Sequence, residues 1–232
     1  MKLALLGYPI GHSLSPKLYQ EILGERLENY DLLACPRPED VPLLSELSAK
    51  YDGLNITAPY KNHFNSELDI VSEIAREIDA VNTISFANKP YRATNTDAIA
   101  VEYLLARYIR EFGSIYLIIL GGGAMSRVTE LLCQKHSLSY SLITRQTYPN
   151  MGSMDLNQFR NQGSRNIIIN TCSRNFIFSG RLNKSDIFWD YNYSFEPHES
   201  TIPQQVMAYH DGQEMLRLQA MAAVEFWNKN KA

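Results

Sequence analysis

Short apolar runs of strand character recur along the chain at Leu3–Leu6, Tyr30–Ala34, Gly53–Thr57, Tyr116–Leu120, Ser139–Thr144, Asn166–Asn170 and Ile187–Asp190. Most are separated by segments whose apolar residues follow helical spacing. Ser15 to Leu23 reads as a helix, with a proline suited to its first turn and Leu18 and Ile22 one turn apart. The same spacing runs from Ser66 to Ile78 through Leu68, Val71, Ile74, Ala75 and Ile78, and from Thr96 to Arg110 through Ile99, Tyr103, Leu104 and Tyr108. Near the C-terminus Met215, Leu218, Ala222 and Phe226 form a further apolar face. Strand alternating with helix predicts an α/β fold with mostly parallel sheets. The helix at Thr96–Arg110 reads as the hinge between two domains.

The strand Ile115–Leu120 leads into Gly121-Gly122-Gly123-Ala124-Met125-Ser126 and then a helical pattern. This is a G-x-G-x-x-S version of the dinucleotide fingerprint. Gly121 permits the tight turn, Gly123 lets a pyrophosphate approach the backbone, and Ser126 is small where the helix meets the strand. The N–H groups of Ala124 to Ser126 open a helix whose positive end faces an anion. The bland alternative is a glycine-rich turn with no ligand. The next strand ends at Arg145, where an NAD-binding unit offers Asp or Glu to the ribose; an Arg there points to a 2′-phosphate. Its alternative role is that of a solvated loop residue.

Composition narrows the class. The chain has 232 residues, enough for one large domain or two small ones, and 45% are hydrophobic, the balance of a globular protein. Lys and Arg number 22 against 25 Asp and Glu, a net charge of −3 with no basic run, so nucleic acid is not expected as a partner. Cys35, Cys133 and Cys172 are far apart and lack metal-ligand spacing, so no metal is expected and a reducing cytoplasmic compartment fits. The apolar start is too short for a signal peptide and reads as a strand; no run is long enough to cross a bilayer.

Polar clusters sit at the predicted strand ends, where open α/β sheets place ligands. Ser13 and Ser15 set two hydroxyls where both could face one carboxylate, although Ser15 alone could simply cap the following helix. Asn55 and Thr57 lie on one side of a strand that then turns at a proline to present Lys61, and Asn82-Thr83 and Asn95-Thr96-Asp97 add amides and a carboxylate. Such groups suit a small polyhydroxylated anion.

Taken together, Gly7-Tyr8-Pro9-Ile10-Gly11-His12-Ser13-Leu14-Ser15-Pro16, Gly53-Leu54-Asn55-Ile56-Thr57-Ala58-Pro59-Tyr60-Lys61, Ala80-Val81-Asn82-Thr83, Asn95-Thr96-Asp97 and Gly212-Gln213-Glu214-Met215-Leu216-Arg217-Leu218-Gln219 resemble the shikimate dehydrogenase family, in order from the N-terminus to the last helix. The resemblance implies an N-terminal α/β substrate domain, residues 1–97 completed by 210–232, and a Rossmann-like doubly wound NADP-binding domain, residues 98–209. The C-terminal helix returns to the first domain.

The implied reaction is the reversible NADPH-dependent reduction of 3-dehydroshikimate to shikimate, by a monomer or homodimer. Ser13 and Ser15 would hold the carboxylate, Asn55, Thr57, Asn82 and Gln219 would meet the hydroxyls, and Lys61 and Asp97 would be the catalytic pair. Tyr193 would reach the substrate. Gly121, Gly122, Gly123, Ala124, Met125, Ser126, Arg145 and Gly212 would border the cofactor, with NADP preferred to NAD. Departures gather in the cofactor domain: Gln146 and Pro149 follow Arg145, Arg174-Asn175-Phe176 stands where a glycine-rich stretch is expected, and little room remains for a helix between Asn150 and Arg165. A quinate/shikimate dehydrogenase-like relative and a noncatalytic shikimate-binding module remain as alternatives.

Overall fold

The computed structural model describes residues 1–230. The chain divides into two compact units, Met1–Ala100 together with the segment from Arg217 onward, and Val101–Leu216. Both boundaries fall inside helices, so residues 98–100 group with the first unit and 210–216 with the second.

The first unit contains β1 (Lys2–Gly7), α1 (Ser15–Leu23), β2 (Asn29–Ala34), α2 (Leu44–Lys50), β3 (Gly53–Ile56), β4 (Ile70–Val71), α3 (Glu73–Glu77), β5 (Thr83–Ser85) and β6 (Arg92–Thr94). Its sheet has the order β2-β1-β3-β5-β6-β4. β2, β1 and β3 are parallel, and β5 is antiparallel to both of its neighbours. The three parallel strands run the same way, but β2 is added on one side of β1 and β3 on the other, so the winding order switches between β1 and β3, where open α/β sheets place a ligand crevice.

The Ser66–Ile78 segment corrects the sequence reading. Instead of one helix it holds a short 3-10 turn at Asn65–Glu67, the strand β4 and the five-residue α3. The β-branched pair Ile70-Val71 extends because β6 offers it a parallel edge, pairing Ile70 with Arg92 and Val71 with Ala93. The short strands β5 and β6, unread in the sequence, exist through the same kind of nonlocal pairing.

In the second unit α4 (Thr96–Phe112), which begins in the first, leads to β7 (Ile115–Leu120), α5 (Ala124–Lys135), β8 (Tyr140–Ile143), β9 (Arg165–Asn170), β10 (Ile187–Asp190), α6 (Glu196–Glu199) and β11 (Ala208–His210). α7 (Gln213–Lys229) then re-enters the first unit. The sheet is wholly parallel with order β11-β10-β9-β7-β8. The winding order switches between β7 and β9, the doubly wound arrangement predicted. Only a 3-10 turn, Leu156–Phe159, lies between β8 and β9. Loop side chains do the covering that a helix would: Met151, Met154, Phe176 and Phe178 pack with Ile118, Ile143, Ile168 and Phe188. The backbone of this loop layer is held too, since Phe178 N–H donates to His198 Nε2 at 2.9 Å while His198 Nδ1 meets Asp190 Oδ2.

Both long helices bury part of the predicted face, Leu104 and Tyr108 in α4 and Met215 in α7, together with a flank beside it. In α4 Ala98, Val101, Leu104, Leu105 and Tyr108 are buried, whereas Ile99 and Tyr103 are exposed. In α7 Ala220, Ala223, Val224 and Trp227 pack with Leu3, Tyr19 and Leu23, while Leu218, Ala222 and Phe226 lie at the margin. In α7 the alanines of the inward face, Ala220 and Ala223, admit close packing beside the buried Trp227. Trp227 Nε1–H donates to the Ile84 carbonyl at 2.8 Å, fixing α7 to the first unit as predicted.

Candidate active site

The loop leaving β1 brings Ser13 and Ser15 together. The helix cap is Leu14, whose side chain makes no capping bond, and Ser15 is the first helical residue. The capping role considered for Ser15 is therefore excluded. Ser13 Oγ instead accepts the Ser15 N–H at 3.2 Å, leaving the nearly buried Ser15 hydroxyl turned toward Tyr30.

From β3, Asn55 Oδ1 accepts from the Tyr30 hydroxyl at 2.9 Å, and Asn55 Nδ2 donates to Thr83 Oγ1 at 3.2 Å. Asn82 Oδ1 accepts from Thr96 N at 2.7 Å and from Thr83 Oγ1 at 3.0 Å. Thr96 Oγ1 lies 3.3 Å from Gln219 Oε1, so the buried glutamine that α7 carries joins the same network. A continuous chain of polar groups thus runs from Ser15 through Tyr30, Asn55, Thr83, Asn82 and Thr96 to Gln219. With Asn82 Oδ1 occupied, its amide N–H groups have no partner among the described residues. Thr57, half-buried, follows immediately after β3.

Lys61 and Asp97 meet directly. Lys61 Nζ lies 2.6 Å from Asp97 Oδ2, with 17% and 14% of the two side chains exposed. The backbone fixes both ends: the Lys61 carbonyl accepts the Val81 N–H at 2.6 Å, and Asn95 Oδ1 accepts the Ala98 N–H at 3.1 Å, capping α4 so that Asp97 sits in its first turn. A shielded ammonium held by one carboxylate, at the edge of a hydroxyl and amide network, can supply a proton to a developing oxyanion.

Two residues of this cluster had no signal in the sequence. Tyr30 links Ser15 to Asn55, and Tyr19 stacks on it with ring centroids 4.8 Å apart. The Tyr19 hydroxyl is buried beside Asn55 without a hydrogen bond among the described residues, and burial raises its pKa well above the ordinary phenol value. A tyrosine within an apolar pattern reads as core, and only the fold places its hydroxyl under this network.

The second unit assembles the predicted cofactor residues around the turn after β7. Gly121 has φ +125°, and a Cβ there would lie 2.4 Å from Thr171 Oγ1, so no other residue fits. Gly122 and Gly123 are exposed, and a Cβ at Gly123 would meet nothing within 4 Å. Ser126 is buried and its hydroxyl donates to the Gly121 carbonyl at 3.0 Å, tying the first turn of α5 to the loop; Ala124 and Met125 are half-buried beside it. Arg145 is exposed at the end of β8, its guanidinium 5.9 Å from the Phe176 ring centroid. Gly212 has a packing reason of its own, since a Cβ there would lie 2.3 Å from the Tyr191 carbonyl oxygen. Tyr193 lies on the turn after β10, half-buried.

Among the described residues there is no cluster that could hold a metal ion, and no helix long and apolar enough to cross a membrane. All three cysteines are free; burial raises the Cys172 thiol to about 11 and that of Cys133 to about 12.

Comparison with known proteins bears on this arrangement. Residues 5–84 match the profile of the shikimate dehydrogenase substrate binding domain. The shikimate dehydrogenase (NADP(+)) of Staphylococcus aureus strain JH9 is 36% identical over 55% of this chain and 48% of its own length, so the chain spans about half of that relative. The shikimate dehydrogenase (NADP(+)) of Oceanobacillus iheyensis is 28% identical across 98% of this chain and 92% of its own length. The crystal structure of shikimate dehydrogenase from Aquifex aeolicus has the same fold, with a TM-score of 0.73 at 23% identity over 100% of this chain and 94% of that one. The profile match over residues 5–84 and the fold shared over the whole length agree with each other.

Proposed function

We propose that the protein is an NADP-dependent shikimate dehydrogenase, reversibly reducing 3-dehydroshikimate to shikimate. The observation that carries this reading is the shielded Lys61–Asp97 pair, 2.6 Å apart. It stands in the same unit as the Ser15-to-Gln219 polar chain. Ser13 and Ser15 receive the carboxylate of the substrate. Thr57, the free amide N–H groups of Asn82, and Gln219 meet its ring hydroxyls, and Asn55 adds the acceptor capacity that Tyr30 leaves on Oδ1. The Lys61 ammonium stabilises the charge that develops on the carbonyl oxygen and delivers a proton to it, while Asp97 orients that ammonium and accepts from the neighbouring hydroxyl. These roles assign the first unit to the substrate and the second to the cofactor.

The residues of the second unit fit a dinucleotide. The open space at Gly123, ahead of the twelve-residue α5, admits a pyrophosphate to the N–H groups of Ala124 to Ser126. Gly122 and Met125 flank the same approach, Gly212 lies near the nicotinamide, and Arg145 takes the 2′-phosphate. NADPH, when bound, supplies the hydride. The names of the two NADP(+)-dependent relatives support the same cofactor. A cytoplasmic location, no nucleic-acid partner and a monomeric or homodimeric state complete the proposal.

Purified protein given shikimate and NADP⁺ should generate NADPH, and a folded protein that fails to do so overturns the reading. Arg145→Ala should lower the NADP over NAD preference in kcat/KM by roughly tenfold to a hundredfold, the worth of one charge-assisted contact. An unchanged ratio would leave Arg145 a solvated loop residue.

A further inference from the structure

Asn55 is a nearly buried amide on a mostly apolar face of the first sheet. β1 lies between β2 and β3, pairing Leu3 with Tyr30 and Leu5 with Asn55, so these four side chains share one face. Leu3 packs there with Tyr19, Leu23 and Trp227. The Tyr30 hydroxyl reaches over β1 and donates to Asn55 Oδ1 at 2.9 Å, while Tyr19 stacks on the Tyr30 ring with centroids 4.8 Å and planes 18° apart. The other end of the amide faces β5. Asn55 Nδ2 donates to Thr83 Oγ1 at 3.2 Å and to the Asn82 carbonyl at 3.4 Å.

A primary amide has two N–H donors and one oxygen with two lone pairs. Both donors of Asn55 are engaged inside the first unit, and one lone pair takes the Tyr30 proton. What remains is one acceptor position on Oδ1. The Asn82 carbonyl can only accept, so it opposes the flipped amide, which would set oxygen against oxygen. The Asn82 side chain is the converse. Its Oδ1 is occupied by the Thr96 N–H and the Thr83 hydroxyl, so it offers N–H groups.

We propose that Tyr30 is a positioning residue for substrate specificity: its hydroxyl holds Asn55 as an acceptor, so that this point of the site takes a ring hydroxyl and rejects a keto oxygen. The inference rests on the reading above that Asn55 meets a ring hydroxyl of the substrate. Without the phenol the amide is held from one side, and its oxygen can turn away from that hydroxyl. A packing role alone would need the Tyr30 ring but not its oxygen.

The test is calorimetric titration of shikimate into the full chain, without cofactor, for wild type, Tyr30→Phe, Asn55→Ala and the double variant. Tyr30→Phe keeps the stacked ring and should weaken binding about three- to tenfold, the worth of one neutral hydrogen bond. Asn55→Ala should weaken it at least as much, and adding Tyr30→Phe to that variant should cost less than about twofold more, because the phenol acts through the amide. Analogues of shikimate that each lack one ring hydroxyl decide the matter even if Asn55→Ala does not fold. The loss caused by Tyr30→Phe should vanish for the analogue without the hydroxyl that Asn55 receives and persist for the others. Wild-type affinity in Tyr30→Phe, an equal loss with every analogue, or multiplying effects in the double variant, as expected if the phenol acted through Ser15, would overturn the role of Tyr30 and leave that of Asn55 standing. If wild type binds no shikimate, or Asn55→Ala binds it like wild type, the Asn55 reading falls and the Tyr30 proposal falls with it.

Discussion

In the proposed reaction Lys61 supplies the proton and Asp97 orients it. Asp97 is held in the first turn of a capped helix, whereas Lys61 reaches it along a flexible stem from a loop whose carbonyl is pinned by Val81. A general acid acts chiefly in the transition state, so Lys61→Ala should reduce kcat by roughly 10²–10⁴ while shikimate binding stays within a few-fold. Near-normal turnover would remove Lys61 from the chemistry. The serines make a second residue-scale case. Since Ser15 caps nothing, Ser15→Ala should leave the melting temperature nearly unchanged and raise KM for shikimate by the ~1.5–3 kcal/mol of a hydrogen bond to a charged group. Ser13→Ala should lower the melting temperature as well as raise that KM, because Ser13 Oγ also receives the Ser15 N–H. A Ser15→Ala protein that melts earlier with unaltered KM would return that residue to a structural role.

At the scale of elements, the strand–turn–helix of β7 and α5 separates two kinds of glycine. Gly121 is bound to its backbone conformation and to the Thr171 side chain, whereas Gly123 faces open space. Gly121→Ala should therefore destabilise the fold by about 1–3 kcal/mol, through left-handed strain and a clash, and be read in urea unfolding. Gly123→Ala should unfold like wild type yet raise the KM for NADP⁺. Equal stability losses in both would mean that the open approach at Gly123 is not a ligand's. On the proposed reading, the loops after β1 and β3 do for the substrate what this turn does for the cofactor. In each unit they leave the C-terminal ends of strands at which the winding order switches.

Across the whole molecule, stability acquires a pH dependence from one partly buried imidazole. His210 stacks on Tyr108 and hydrogen-bonds its hydroxyl, and burial, with the nearby Arg107 charge second, lowers its pKa below the ordinary value. The unfolded chain then takes up a proton first as pH falls below about 6.5. The stability present above that pH is lost progressively until the folded protein also protonates. The urea midpoint should fall between about pH 7 and pH 5 more steeply in wild type than in His210→Asn. Parallel profiles would show that His210 titrates alike in both states.

Much of this protein was legible in its sequence. The alternation of strand and helix, the glycine turn after Leu120, and the serine, asparagine and lysine clusters at strand ends are local patterns, and local patterns record which positions favour burial and which carry polar groups. Tertiary structure decided what those patterns leave open, which is partner choice. Ile70 and Val71 became a strand because β6 was beside them, and α7 buried Ala220, Ala223 and Trp227 because Leu3, Tyr19 and Leu23, distant in the chain, lie against that face. A loop layer replaced a missing helix because Met154 and Phe178 could reach the same core. The link from Ser15 through Tyr30 to Asn55 joins residues distant in the chain, and no spacing rule encodes it. Burial preference is a property of each residue and its near neighbours. The partner a residue is buried against depends on the whole chain.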